Sequence, residues 1–202
     1  MTFLIITLLG FLAAGERQQD SNPQADPHAV VFHGRARFTI LTPGALRLEW
    51  AADSLFEDRA SLVVVNRSLP LPEFSTTVSG TTLTIATGAL TLTHRDDGRP
   101  FDSLNTRITF STGSMQGMWV PGLVDTANLL GTTRTLDGAD GDLITRDSTH
   151  VTLEPGLLSR SGWTLIDDSA RPLFDDSPWP WVTPRPSGQR SEEHTSELQS
   201  LG

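Results

Sequence analysis

Alternation of apolar and polar residues constrains this chain more than any other feature. From Val30 onward the dominant period is two: Ala36, Phe38 and Ile40 alternate with Arg35, Arg37 and Thr39, and Leu46, Leu48 and Trp50 alternate with Arg47 and Glu49. Successive side chains on an extended backbone leave on opposite faces, so the pattern specifies half-buried antiparallel strands. It recurs at Leu83 and Ile85, at Leu90 and Leu92, and at Ile108 and Phe110, with Thr on the opposite positions. Thr suits those positions because it is β-branched and still solvated. The expected core is therefore Phe38, Ile40, Leu48, Trp50, Ile85, Leu92, Ile108 and Phe110. The uniformly apolar residues 62–65 read as a strand buried on both faces.

Turn signals at Pro43-Gly44, Ser79-Gly80, Asp97-Gly98 and Pro121-Gly122 punctuate these runs, a spacing that suits stacked antiparallel sheets better than strand-helix alternation. No helical apolar stripe follows residue 15, and no internal repeat is present. The fold class this implies is all-β, an antiparallel β-sandwich over residues 30–176.

Composition narrows the chemistry. The chain carries 24 acidic and 15 basic residues, a net charge of -9, and no Cys; every basic residue is Arg. An acidic surface without a basic cluster disfavours nucleic acid and anionic lipid as partners. Missing Lys removes Schiff-base chemistry, and missing Cys removes thiol nucleophiles, disulfides and Cys-ligated metals. His28, His33, His94 and His150 have no metal-ligand spacing, and no Ser sits in a G-x-S-x-G turn, so metalloenzyme and serine-hydrolase readings have no footing. No cofactor is expected.

The two ends differ from the middle. Residues 3–15 are apolar but too few to span a bilayer. Residues 1–15 read as a signal peptide with Ala13, Ala14 and Gly15 near a cleavage point, although no Lys or Arg precedes the apolar run. Residues 16–29 read as a polar linker, and the expected location is secreted or periplasmic. Residues 190–200 read RSEEHTSELQS, a string that resembles the translation of a common short-read sequencing adapter. Residues 190–202 are accordingly assigned no function. Taken as structure, the string would be a short exposed acidic helix with Glu193 and Glu197 at i,i+4, a mildly repulsive spacing.

The middle third carries longer motifs. Residues 119–142 read WVPGLVDTANLLGTTRTLDGADGD, residues 153–169 read LEPGLLSRSGWTLIDDS, and residues 172–182 read PLFDDSPWPWV. In this order they resemble the N-terminal domain of glycoside hydrolase family 31, in the branch with an NLGGTxRTLDG segment followed by LSRxGWxxxDDS. Leu130 departs from that pattern, standing where Gly is expected. The resemblance covers about residues 30–189 and implies a galactose-mutarotase-like sandwich ahead of a (β/α)8 barrel, in a retaining α-glycosidase acting on α-glucosides or α-xylosides. Residues 177–189 would then lead toward the barrel, which would be this domain's partner.

A retaining mechanism needs two carboxyl groups about 5 to 5.5 Å apart. Nothing here resembles the family's WxDMNE nucleophile segment, and if Asp167 and Asp168 sit on a strand they point to opposite faces. No catalytic residue is assigned, and the chain is expected to be inactive alone. The resemblance instead suggests that Arg134, Asp137 and Asp140 meet sugar hydroxyls in a loop over the barrel mouth. Taken by themselves, Asp137, Asp140 and Asp142 read as a solvated turn before they read as a calcium loop, and Arg134 suits a carboxylate as well as vicinal hydroxyls. Trp179 and Trp181 read as a docking surface for the barrel, or as an aromatic platform for sugar rings. Two functions follow. One is a non-catalytic domain shaping the substrate pocket of an α-glycosidase; the alternative is a free-standing carbohydrate-binding β-sandwich.

Overall fold

The computed structural model describes residues 22–113, 115–130, 155–175, 182–183 and 196–200. Over these residues the chain is all-β, with two antiparallel five-stranded sheets and a small ribbon. A 3-10 turn, Pro27–Ala29, capped by the Asp26 side chain, leads into β1, Val30–His33. Then come β2, Ala36–Thr42, and β3, Ala45–Trp50, joined through the Pro43-Gly44 turn. Five strands follow as a meander: β4, Phe74–Ser79; β5, Thr82–Thr87; β6, Leu90–Arg95; β7, Thr106–Thr112; and β8, Met115–Trp119. The remaining strands are β9, Trp163–Asp167; β10, Leu173–Phe174; β11, Val182–Thr183; and β12, Ser196–Ser200.

The first sheet has the order β1-β2-β3-β12-β9, the second runs β4-β5-β6-β7-β8, and β10 pairs with β11. Hairpin register keeps each apolar set on one face: Phe38 lies opposite Leu48 and Ile40 opposite Leu46 in the first sheet, Ile85 opposite Leu92 and Leu92 opposite Ile108 in the second. A slip of one residue would turn those sets to the wrong side. All eight expected core residues are buried, and together with Leu46, Leu83, Leu90, Trp119 and Trp163 they belong to one apolar cluster that both sheets supply.

The polar phases of the two sheets have different fates. In the second sheet Thr82, Thr84, Thr91 and Thr93 are half-buried between fully buried Leu and Ile, as the alternation implies. In the first sheet Arg37, Thr39, Arg47 and Glu49 are buried as well, so β2 and β3 are enclosed on both faces. Half-burial of those strands is therefore corrected. What covers them is the segment after β3, where the Glu57 carbonyl accepts from Arg37 and Arg47, and Arg37 lies over the Phe56 ring at 4.7 Å.

The expected buried strand at residues 62–65 does not form. Leu62, Val63 and Val65 are 53%, 40% and 47% exposed, and only Ser61 makes an isolated bridge, to Leu173. The Ser61 hydroxyl accepts the Val63 and Val64 N–H groups, and such a side-chain turn bends the backbone before a ladder can extend. Within the expected linker, Asn22 and Pro23 are tied to the domain through their carbonyls, which accept from the Arg67 and Ser68 N–H groups and from the Arg67 guanidinium. Ser196–Ser200 is extended and paired on both sides, not helical.

Candidate functional site

The motif segments converge. Asn128, in the first, uses its side-chain amide as a clasp: Oδ1 accepts the Leu130 and Gly156 N–H groups, both at 2.8 Å, and Nδ2 donates to the Gly156 carbonyl at 3.0 Å. The backbones add Leu129 N–H to Leu158 O and Arg160 N–H to Ala127 O. Ser161 Oγ donates to Asp125 Oδ1 at 2.8 Å. Burial opposes charge on Asp125, but hydrogen bonds from Ser159, Ser161 and the Ala127 N–H outweigh it and hold the carboxyl below its usual range.

Leu130 closes the clasp with φ at +55°. That left-handed conformation suits Gly and strains a branched side chain.

The two motif segments also line a cleft of about 380 Å³, within the range of small-ligand sites. Trp119, Pro121 and Gly122 come from the first segment, and Leu165 and Asp167 from the second; Leu48, Phe101, Asp102 and Ser103 complete the lining. Leu48 and Trp119 are buried, Phe101 and Leu165 are half-buried, and Asp167 is exposed. The floor is therefore apolar and the rim carries two carboxyl groups. Asp102 Oδ1 accepts the Leu104 and Asn105 N–H groups, and Asp167 Oδ1 accepts from the Ser169 N–H and hydroxyl. The indole Nε1 of Trp119 is buried without a hydrogen-bond partner. An unspent buried donor costs free energy until something accepts from it.

Asp167 and Asp168 do diverge. Asp167 is exposed at the cleft, whereas Asp168 is wholly buried with its Oδ2 3.7 Å from Arg67 Nη2. They cannot act as a facing acid and nucleophile. Arg134, Asp137, Asp140, Trp179 and Trp181 lie outside the described residues. The cleft was missed because Phe101, Asp102 and Leu48 come from separate stretches, although Trp119, Pro121, Gly122, Leu165 and Asp167 stand inside quoted motifs.

A second polar assembly lies on the outer face of the first sheet. Arg37 Nε and Nη2 donate to the two Glu49 carboxylate oxygens at 2.6 and 2.9 Å, and Arg47 Nη2 lies 2.8 Å from Glu49 Oε1. Arg37 Nη1 also meets Asp58 at 2.7 Å. Burial works against the Arg37 charge, but Glu49 and Asp58 outweigh it and raise its pKa further. Register could have revealed this pair, since the turn at Pro43-Gly44 sets Arg37 directly opposite Glu49.

Third, His94 occupies a core position of β6. Its ring lies 5.3 Å from both Phe38 and Phe101 and 5.4 Å from His33, and Nδ1 is 3.0 Å from Thr106 Oγ1. Burial, reinforced by His33, lowers its pKa to about 4 against the weaker pull of Asp96 and Asp97.

Among the described residues no group of three or more His, Asp or Glu converges as a metal site. No family model matches the chain, and no curated protein matches it either.

Proposed function

We propose that this domain is a carbohydrate-binding β-sandwich that seats a sugar unit in the Phe101–Trp119 cleft. The observation that carries the reading is the composition of that cleft: an apolar floor for the C–H face of a pyranose and carboxylates at the rim to accept hydrogen bonds from its hydroxyls. Aromatic surface with a few placed polar groups is how small polar ligands are oriented. On this reading Arg134, Asp137 and Asp140 remain candidate sugar contacts, and Trp179 and Trp181 candidate stacking residues.

Titration calorimetry with α-glucosyl and α-xylosyl oligosaccharides tests it. Saturable binding is expected, weakened about tenfold or more by Asp167→Asn through loss of a charge-assisted hydrogen bond. Absence of saturable binding, or an unchanged Kd in that variant, overturns the cleft assignment.

A second reading, favoured by the clasp and by the glycine-like conformation of Leu130, is the N-terminal galactose-mutarotase-like domain of an exported family 31 α-glycosidase. The domain would then support a barrel that carries both catalytic carboxylates. It predicts no hydrolysis of aryl α-glucosides or α-xylosides by this chain. It also predicts a WxDMNE-like strand when the locus is reassembled and read beyond residue 189. Turnover abolished by Asp168→Asn would sink it.

A further inference from the structure

We infer that the outer face of the second sheet carries an oxyanion site, built on Arg95 and Arg107, that takes a small hydroxylated molecule bearing a carboxylate or phosphate group. The strands β4 to β8 contain no Asp or Glu, and their fixed charges are the cations Arg95 and Arg107. In a chain of net charge -9, this face is locally cationic. Thr93 lies opposite Arg107, and Thr82 opposite Arg95. Arg95 follows Thr93 by two residues, so all four side chains leave on the same face. The two arginines are thus diagonal neighbours on adjacent strands, roughly 7 to 8 Å apart and within reach of long side chains.

Both guanidinium groups border a pocket of about 260 Å³, with Thr82, Thr93 and residues 103–106 completing its wall. That space suits one charged group on a small body, since drug-sized ligands need more. No acidic residue lines it, whereas the Phe101–Trp119 cleft has two carboxyl groups at its rim. Asp97 is the carboxylate that Arg95 does meet, but it is held by Arg99 at 2.9 Å and stands 3.8 Å from Arg95 Nη2, beyond hydrogen-bond length. Arg107 is exposed and makes no ion pair among the described residues.

Two neighbouring like charges repel, and an oxyanion seated between them offsets both. The planar fork of guanidinium N–H donors matches carboxylate and phosphate oxygens, giving short charge-assisted bonds. Hydroxyls on Thr82, Thr93 and Ser103 both donate and accept, which suits hydroxyl groups on the rest of the ligand. Two cations are too few to hold a nucleic-acid backbone, whose affinity grows with each phosphate neutralised. The site stands apart from the sugar cleft and does not rest on that reading.

Titration calorimetry of the full chain at low ionic strength, with glucuronate, inorganic phosphate and glucose in turn, tests the site. Glucuronate or phosphate should bind saturably, and the tighter of the two identifies the group the pocket takes. Arg107→Gln should weaken that binding about tenfold or more. Arg107→Lys should weaken it less, because the charge stays while the fork is lost. Both pocket arginines are exposed, so these substitutions leave the core untouched. Arg160→Gln, at an exposed arginine outside the pocket, should leave Kd unchanged. So should Asp167→Asn, which separates failure of this site from failure of the sugar cleft. Any affinity for glucose should not depend on Arg107. No saturable binding of either anion, an unchanged Kd in Arg107→Gln, an equal loss in Arg160→Gln, or glucose binding weakened as much by Arg107→Gln would each overturn the site.

Discussion

The two sheets solve the same problem differently. The second turns its polar phase toward water, and the half-buried Thr residues of β5 and β6 need nothing laid over them. The first buries its polar phase beneath residues 56–58, so Arg37, Arg47 and Glu49 must satisfy one another. Alternation in the sequence looks alike in both. What differs is whether a later loop has enough side-chain and carbonyl chemistry to cover the outer face, because charges are buried only when paired and hydrogen-bonded.

The sharpest way to break this comparison is to remove one charge from the covered face. Glu49→Ala should cost about 3 to 5 kcal/mol, since it removes the carboxylate that two buried guanidinium groups share. Thr84→Val on the open face should shift stability by about half a kcal/mol or less. Urea unfolding of both variants decides it, and comparable losses would mean the two outer faces are energetically alike.

On the shared core side, Leu92→Ala should cost about 2 to 5 kcal/mol by transfer and cavity terms. A loss below about half a kcal/mol in the same titration would place Leu92 outside the core cluster and break the register of β6.

The third effect separates the sheets by pH. His94, a core residue of the second sheet, is held neutral with its pKa lowered to about 4, whereas the first sheet buries its groups as ion pairs. Between the ordinary histidine pKa near 6.5 and about 4 the unfolded chain binds the extra proton, so stability should fall as pH drops through that window and level off below it. The loss should be on the order of 2 to 3 kcal/mol. His94→Phe should flatten that part of the pH profile of the unfolding midpoint; an unchanged slope would show that His94 is already solvated or charged.

The smallest effect lies where the motif segments meet. Leu130→Gly should stabilise by about 0.5 to 1 kcal/mol, because Gly relieves the left-handed strain by more than it adds in chain entropy. Thermal unfolding reads it. Destabilisation would mean that Leu130 contributes packing to the clasp that outweighs its strain.

Much of the fold was legible beforehand. The apolar phases at Phe38, Ile40, Leu48 and Trp50, and at Ile85, Leu92, Ile108 and Phe110, are all buried, because a period of two fixes which side chains share a face. The turns at Pro43-Gly44 and Pro121-Gly122 also formed where their residues demanded. Residues 62–65 failed because local apolarity says nothing about whether a neighbouring strand is available, and the Ser61 turn decided otherwise. The site was less legible still. Trp119 and Asp167 lie in motifs that stood out, but Phe101 and Asp102 join them only once the strands are stacked.

By itself, then, the sequence determined the all-β class and the inward phase of the core strands. These follow from backbone geometry repeated every two residues. Tertiary structure alone decided that Arg47 and Glu49 would be buried, that burial would lower the proton affinity of His94, and that the cleft would form. Those outcomes depend on which distant segments come to lie over a face, and dielectric environment is a property of the assembled layers rather than of any stretch of chain.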